Sequence, residues 1–373
     1  MVKVLHFVAS VGDSYGGVST AVAGLGAVER HLGHTPALVT VDRPEQGTDT
    51  LRAAVRSFDV HLLAPHPVGG RFHFGRELIP TARDLVARHD VVVVHGVFDA
   101  VAQAGWLAAR AAGKPYLVWP HGSLDDYDLR KHRLAKFALA PLWRTMLAGA
   151  SGVVCTTRRE AERVRRFGAS TRTAVVPLTT SLPPVIPRPR VTAEGRTVLF
   201  LGRVDHKKGL PLLLEAFDRA ARPGDELVIA GGGDAELESL LRRRAGLIVG
   251  DRTVYFAGWA DEAARRDLLA SADVFALLSD NENFGLAVAE ALESGLPVLL
   301  SDQVYLGDEL AERGAAVVCE RTPESAAAAL RRLLDDPALR ARCAERGKAY
   351  AREAFAVGAV AGAYRTALDG CRC

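Results

Sequence analysis

Short apolar runs alternate with helical patterns along almost the whole chain, and this alternation constrains the fold more than any other feature. In the first half the runs are "VKVLHFVA", "PALVTV", "DVHLLA", "DVVVVHG", "PYLVWP", "GVVCTT" and "TAVVPL". Most are nearly continuous in apolar residues, which is the pattern of parallel strands buried on both faces. The stretch "PLTTSLPPVIPRPRVTAEG" then carries five prolines between Pro177 and Pro189 without any period, and it reads as a connection between domains. The alternation restarts with "TVLFLGRV", "ELVIAGGG", "TVYFAGW", "DVFALLS", "PVLLSD" and "AAVVC". With 373 residues there is chain enough for two cores. We therefore expect an α/β protein of two Rossmann-like, doubly wound parallel-sheet domains. The expected boundaries are 1–180, a proline-rich linker at 181–195, 196–355, and a closing helical segment at 356–373 that could return to the first domain. In sheets of this kind ligands bind beyond the carboxyl ends of the strands, and two facing sheets would place a ligand in the cleft between them.

Composition removes several classes. A net charge of +3 gives no reason to expect a nucleic-acid partner. Cys155, Cys319, Cys343, Cys371 and Cys373 are odd in number and lack metal-ligand spacing, so they read as free thiols without a functional role. The start "MVKVLHFVAS" lacks the pattern of a signal peptide, and no apolar stretch reaches the ~18 residues a membrane span requires. A cytoplasmic protein is expected.

The candidate chemistry lies at strand ends. "TVLFLGRVDHKKG" closes a strand with Gly202 and Arg203 and brings Lys207, Lys208 and Gly209 ahead of a helix. A guanidinium fork with an ammonium point charge suits a diphosphate, although a basic surface turn would read the same. "DNENFG" lies between the strand "DVFALLS" and the helix "LAVAEALESG", so the backbone N–H groups near Gly285 to Ala287 sit at a helix start, which favours an anion. Glu282 stands before that start and Glu290 lies inside the helix. Eight residues would span up to ~12 Å if all were helical, about the length of a sugar nucleotide. A solvated glutamate on a capped helix is the plainer alternative.

Taken together, these segments resemble the retaining glycosyltransferases of family 4, which have the GT-B fold. The resemblance rests on "GRVDHKKG", on "ENFGLAVAE" as an E-x7-E signature, on "GLPVLLSD", and on "GDSYGG" near the N-terminus, and it runs the length of the chain. It implies that Arg203 and Lys208 bind the donor diphosphate. Glu282 would sit by the transferred sugar with the backbone of Asn283, Phe284, Gly285 and Leu286, while Glu290 would hold the ribose. Gly16 and Gly17 would form a loop over the reaction centre. His121, in "WPHGSLDD", looks like the family's active-site histidine, so the residues expected to act on the reacting groups are His121, Glu282, Arg203 and Lys208.

The implied reaction moves a hexosyl group from a nucleoside diphosphate sugar to a hydroxyl of a glycan, a lipid-linked intermediate or a small metabolite, with retention. The donor is a substrate, and no cofactor is expected. No D-x-D pair at a strand end offers a catalytic metal its oxygen ligands, so no metal is expected either. A GT-B epimerase of sugar nucleotides and a non-catalytic sugar-nucleotide-binding protein are the alternatives. A dehydrogenase is disfavoured because "VASVGDSYGG" lacks G-x-G-x-x-G, and a phosphorylase because no lysine stands out for pyridoxal phosphate. The basic segment 129–150 carries Arg130, Lys131, Arg133, Lys136 and Arg144 without an acid. It could be a helix packing an apolar stripe on the core or one lying on an anionic membrane, and both readings stay open.

Overall fold

The computed structural model describes residues 2–12, 16–43, 47–66, 75–131, 133–168, 172–180, 195–248 and 250–371. The proline-rich stretch from 181 to 194, Asp13 to Tyr15 of the N-terminal glycine loop, and Cys373 lie outside these residues. The chain divides into two compact units, Met1–Ser181 with Ala356–Cys373, and Leu182–Phe355.

The first unit runs β1 (Lys3–Phe7), α1 (Gly17–His31), β2 (Thr35–Val41), α2 (Asp49–Val55), β3 (Asp59–Leu63), α3 (Leu78–Arg88), β4 (Val91–His95), α4 (Ala100–Ala111) and β5 (Tyr116–Trp119). It continues through α5 (Asp126–Arg130), α6 (Arg133–Ala148), β6 (Gly152–Cys155), α7 (Arg158–Arg166) and β7 (Thr173–Val175). The second unit holds β8 (Thr197–Leu201), a 3-10 turn at His206–Lys208, α8 (Leu210–Ala220), β9 (Glu226–Ala230), α9 (Ala235–Ala245), β10 (Thr253–Gly258), α10 (Glu262–Ser271) and β11 (Val274–Leu277). It ends with α11 (Leu286–Glu293), β12 (Val298–Ser301), α12 (Leu306–Glu312), β13 (Ala316–Cys319), α13 (Pro323–Asp335) and α14 (Pro337–Ala354). The last helix, α15 (Val357–Asp369), belongs to the first unit.

All thirteen apolar runs form strands, and the two sheets are parallel, with orders β3-β2-β1-β4-β5-β6-β7 and β10-β9-β8-β11-β12-β13. Central strands such as β4, with Val92, Val93 and Val94 fully buried, have side chains covered on both faces. β-branched residues suit that environment, because their stiff side chains pack well on a pleated surface. Most of the first core lies on one face, where Phe7, Val94, Trp106 and Leu147 meet, and a smaller cluster of Val8, Val22 and Leu38 fills the other. Strand order reverses between β1 and β4 and again between β8 and β11, so each sheet has a switch point where the loops diverge and leave a crevice.

The basic segment departs from a single helix. It breaks at extended Lys131 into α5 and α6, and only the second half of α6 packs, through Trp143, Met146 and Leu147. Toward its start, Leu134 and Phe137 stand 87% and 82% exposed.

Candidate donor site and histidine cluster

At the switch point of the second sheet, the loop after β8 carries Arg203 and then Asp205, whose carboxylate accepts the Lys207 N–H at 2.9 Å and starts the 3-10 turn. Gly209 ends that turn at φ +68°, and a Cβ there would lie 1.8 Å from the Leu278 carbonyl oxygen at the end of β11. Only glycine allows that approach. The loop after β11 is held in turn: Asp280 N–H donates to the Lys207 carbonyl at 2.7 Å, Glu282 N–H to Gln303 O at 3.0 Å, and Tyr305 N–H to Glu282 O at 2.8 Å. Asn281 donates to the Tyr305 hydroxyl at 3.0 Å in a buried contact.

This bracing brings the Lys208 ammonium onto the Glu282 carboxylate, residues 74 positions apart in the chain. Burial pushes the Glu282 carboxyl up, but Lys208, Lys207 and Arg203 outweigh it and hold the group below its ordinary value. Arg203 stays 43% exposed, with Asp205 at 4.0 Å, so its guanidinium is available to an incoming anion. Asn283 and Leu286 are half-buried, whereas Phe284 is buried edge-on against Phe355 at 5.2 Å and packs the loop down. Gly285, at φ +77°, starts α11 without a side-chain cap. In the same unit α9, α10, α13 and α14 are capped by Asp234, Asp261, Thr322 and Asp336, while α8 and α12 also start without a side-chain cap. A helix start without such a cap keeps its N–H groups for a ligand.

Glu290 lies one turn into α11, 3% exposed and ion-paired with Arg265. Burial raises its pKa, and Arg265 opposes that shift. The sequence singles out Glu290 but not Arg265, which sits in an ordinary amphipathic helix. Trp259, just past β10, is 66% exposed.

In the first unit, Gly16 at φ +94° precedes α1 without a side-chain cap, and Gly17 opens the helix with free space where a Cβ would stand. His121 follows β5 in the left-handed region, at φ +52°, an uncommon conformation for a residue with a Cβ. Three contacts hold it there. Its ring stacks on Trp119 with an interplanar angle of 3°, its Nε2 lies 2.8 Å from His95 Nδ1, and the next N–H, of Gly122, donates to the buried Glu160 at 2.6 Å. Glu160 also accepts the Thr156 N–H and hydroxyl. Burial holds the His121 pKa down at about 3, so the ring is neutral near pH 7.

Sequence reading missed His95, His6, Glu29 and Glu160. The available signal was a histidine inside each of two apolar strands, "VKVLHFVA" and "DVVVVHG". A buried polar ring needs a partner, and both strands flank the switch point. Among the described residues, no group of three His, Cys, Asp or Glu side chains could hold a metal ion. None of the described helices is long and apolar enough to cross a membrane.

Two parallel Rossmann-like units, with cationic and carboxylate side chains at a switch point, are the architecture of the GT-B fold. A family model described as "Glycosyl transferases group 1" matches residues 187–350, and one described as "Glycosyl transferase 4-like domain" matches residues 16–179. A phosphatidyl-myo-inositol mannosyltransferase of Mycolicibacterium smegmatis is 30% identical over 356 residues, 88% of this chain and 84% of that protein. A GDP-mannose:cellobiosyl-diphosphopolyprenol alpha-mannosyltransferase of Xanthomonas oryzae is 28% identical over 340 residues, covering 87% of this chain and 85% of that protein. The Anabaena protein HepE, solved in complex with UDP and glucose, superposes with a TM-score of 0.80 at 16% identity over 99% of this chain and 100% of its own. The chain belongs to the group 1 glycosyltransferases of family 4 type. It is a glycosyltransferase that moves a sugar from a nucleotide donor to an acceptor.

Proposed function

We propose that the chain is a retaining, metal-independent mannosyltransferase that uses GDP-mannose and acts on a hydroxyl of a membrane-lipid-linked acceptor. The observation that carries the donor half is the Lys208–Glu282 pair beside exposed Arg203 at the second switch point. A sugar phosphate bond that breaks puts negative charge on the leaving diphosphate and positive charge on the sugar. Arg203, Lys208 and the uncapped start of α11 supply the stabilisation that a divalent metal would otherwise give. That supports a reaction without a metal, and we propose no cofactor beyond the donor substrate. Glu282 would meet the hydroxyls of the transferred mannose with the Asn283 to Leu286 backbone. Glu290, oriented by Arg265, would take the ribose.

Glu282 is ion-paired, which suits it to binding hydroxyls better than to attacking carbon. We therefore propose retention by same-face attack, with the leaving phosphate taking the acceptor proton. GDP and mannose come from the names of the relatives, as does a lipid acceptor. Exposed Leu134 and Phe137 on α6, beside exposed Arg130 and Arg133, are the chemistry of a surface that rests on an anionic bilayer. These side chains support the reading of peripheral membrane contact through the segment 129–150.

The test is transfer of labelled mannose from GDP-mannose into the lipid extract of a bacterial membrane preparation, with chelator present and the anomeric configuration of the product read by NMR. An α-linked mannolipid formed in chelator is expected. A β-linked product, or activity abolished by chelator and restored by Mg²⁺, would overturn the proposal.

A further inference from the structure

A continuous line of buried polar side chains runs through the first unit from α15 to His121. Glu29, on α1 and fully buried, accepts the Tyr364 hydroxyl from α15 at 2.7 Å on Oε1. The same oxygen lies 3.1 Å from His6 Nε2, and Oε2 lies 2.6 Å from His34 Nδ1. His6 Nδ1 lies 3.0 Å from His95 Nε2, and His95 Nδ1 lies 2.8 Å from His121 Nε2. His6, on β1, and His95, at the end of β4, are 0% and 2% exposed, so no water competes for these contacts. Phe58 stands edge-on to the His6 ring at 5.3 Å, and Trp119 stacks on His95 and His121.

The direction of donation along this line follows from its end. A carboxylate has no proton to give, so His6 must present N–H at Nε2. With His6 in its neutral form, its Nδ1 carries a lone pair, and His95 then donates to it from Nε2. Neutral His95 has a lone pair at Nδ1, and His121 must donate to it from Nε2. His121 is left with an acceptor lone pair at Nδ1.

We propose that Glu29 is a positioning residue which, through His6 and His95, fixes His121 as the Nε2–H tautomer and so presents Nδ1 as an acceptor for a sugar or acceptor hydroxyl. The part about the hydroxyl rests on the reading that His121 meets the reacting sugar. The tautomer does not. Packing alone would hold the ring in place, but it would leave the two tautomers close in energy. The carboxylate breaks that tie over three imidazoles.

Two measurements test this. Protein labelled with ¹⁵N only at histidine, at about pH 8 and thus above the ordinary histidine pKa of ~6.5, shows the tautomer of each ring in two-bond ¹H–¹⁵N spectra, with His121 assigned by loss of its signals in His121→Gln. His6, His95 and His121 each protonated on Nε2 alone are expected. His121 protonated on Nδ1, or His6 protonated on both nitrogens, overturns the proposal without any substrate. The second measurement uses His6→Phe, which keeps a ring beside Phe58 and cuts the line. Its His121 signals should become a mixture of tautomers, and kcat with GDP-mannose should fall at least about tenfold with KM little changed. A His121 tautomer unchanged in His6→Phe overturns the proposal. If the unaltered protein does not turn over GDP-mannose, that counts against the donor reading, and the spectra still decide the tautomer.

Discussion

Lys208 and Glu282 each neutralise a charge that the other would leave half-buried, and substitutions at the two positions should therefore differ. Lys208→Ala leaves a carboxylate without its main counter-ion and should cost about 1–3 kcal/mol of stability and at least ~100-fold in activity. Glu282→Gln leaves the Lys208 ammonium without its counter-ion but keeps the shape and an amide oxygen that can accept from it, so unfolding in denaturant should move by only about 1 kcal/mol while activity falls as far. If Glu282→Gln lost stability and kept activity, the pair would be structural. Both residues were legible in the sequence as types at strand ends, although a basic surface turn and a solvated glutamate read the same there until the motifs are taken together. Their contact was not legible, because a 74-residue separation says nothing of distance until the strand order is known. Arg265 stayed hidden for a different reason: an arginine on a polar helix face looks like any solvated one.

The loops and helices around the site add constraints of their own. Gly209 lets the turn after β8 lie against the end of β11, and this close approach carries Lys208 to Glu282. Gly209→Ala puts a Cβ at 1.8 Å from a carbonyl oxygen in a left-handed conformation. It should destabilise by at least ~2 kcal/mol and lower activity with it, measured by denaturant unfolding and turnover. In the first unit, α1 and α15 meet at Glu29, whose three hydrogen-bond partners outweigh burial and bring its pKa down from 4.5 to about 2. The folded value lies below the unfolded one, so as pH falls the unfolded chain binds the proton first. Stability from this group is complete above pH ~4.5 and is lost toward pH ~2, on the order of 3 kcal/mol in all. Denaturant unfolding between pH 7 and 3 should show about 2 kcal/mol of that loss in the unaltered protein and a flatter profile in Glu29→Gln. Equal slopes would contradict the assignment. Strands were the most legible elements, since continuous Val and Leu runs have few other uses. The break at Lys131 within the basic segment was not legible, because no Gly or Pro marks it.

At the scale of the whole molecule, the family assignment and the parallel sheets agree with what the alternating runs and the spaced motifs suggested. The reading of the basic segment as a helix packing an apolar stripe on the core holds for the second half of α6. A pattern of apolar spacing shows that a helix has an apolar side without showing what covers it. Leu134 and Phe137 together should therefore matter for membranes and little for folding. Replacing both by Ser should lower co-sedimentation with vesicles containing phosphatidylglycerol at least about fivefold and leave the melting temperature within about 2 °C. Equal sedimentation would contradict a bilayer contact there.

The proposed GDP-sugar site on the second unit is tested most directly by thermal stabilisation of the purified chain by GDP, UDP and ADP in chelator, repeated on Lys208→Ala. GDP at 100 times its Kd should add ~2.7 kcal/mol, with UDP and ADP giving much less and the variant losing most of the effect. Stabilisation by UDP in place of GDP would contradict the choice of donor, and a GDP effect unchanged in Lys208→Ala would contradict the site.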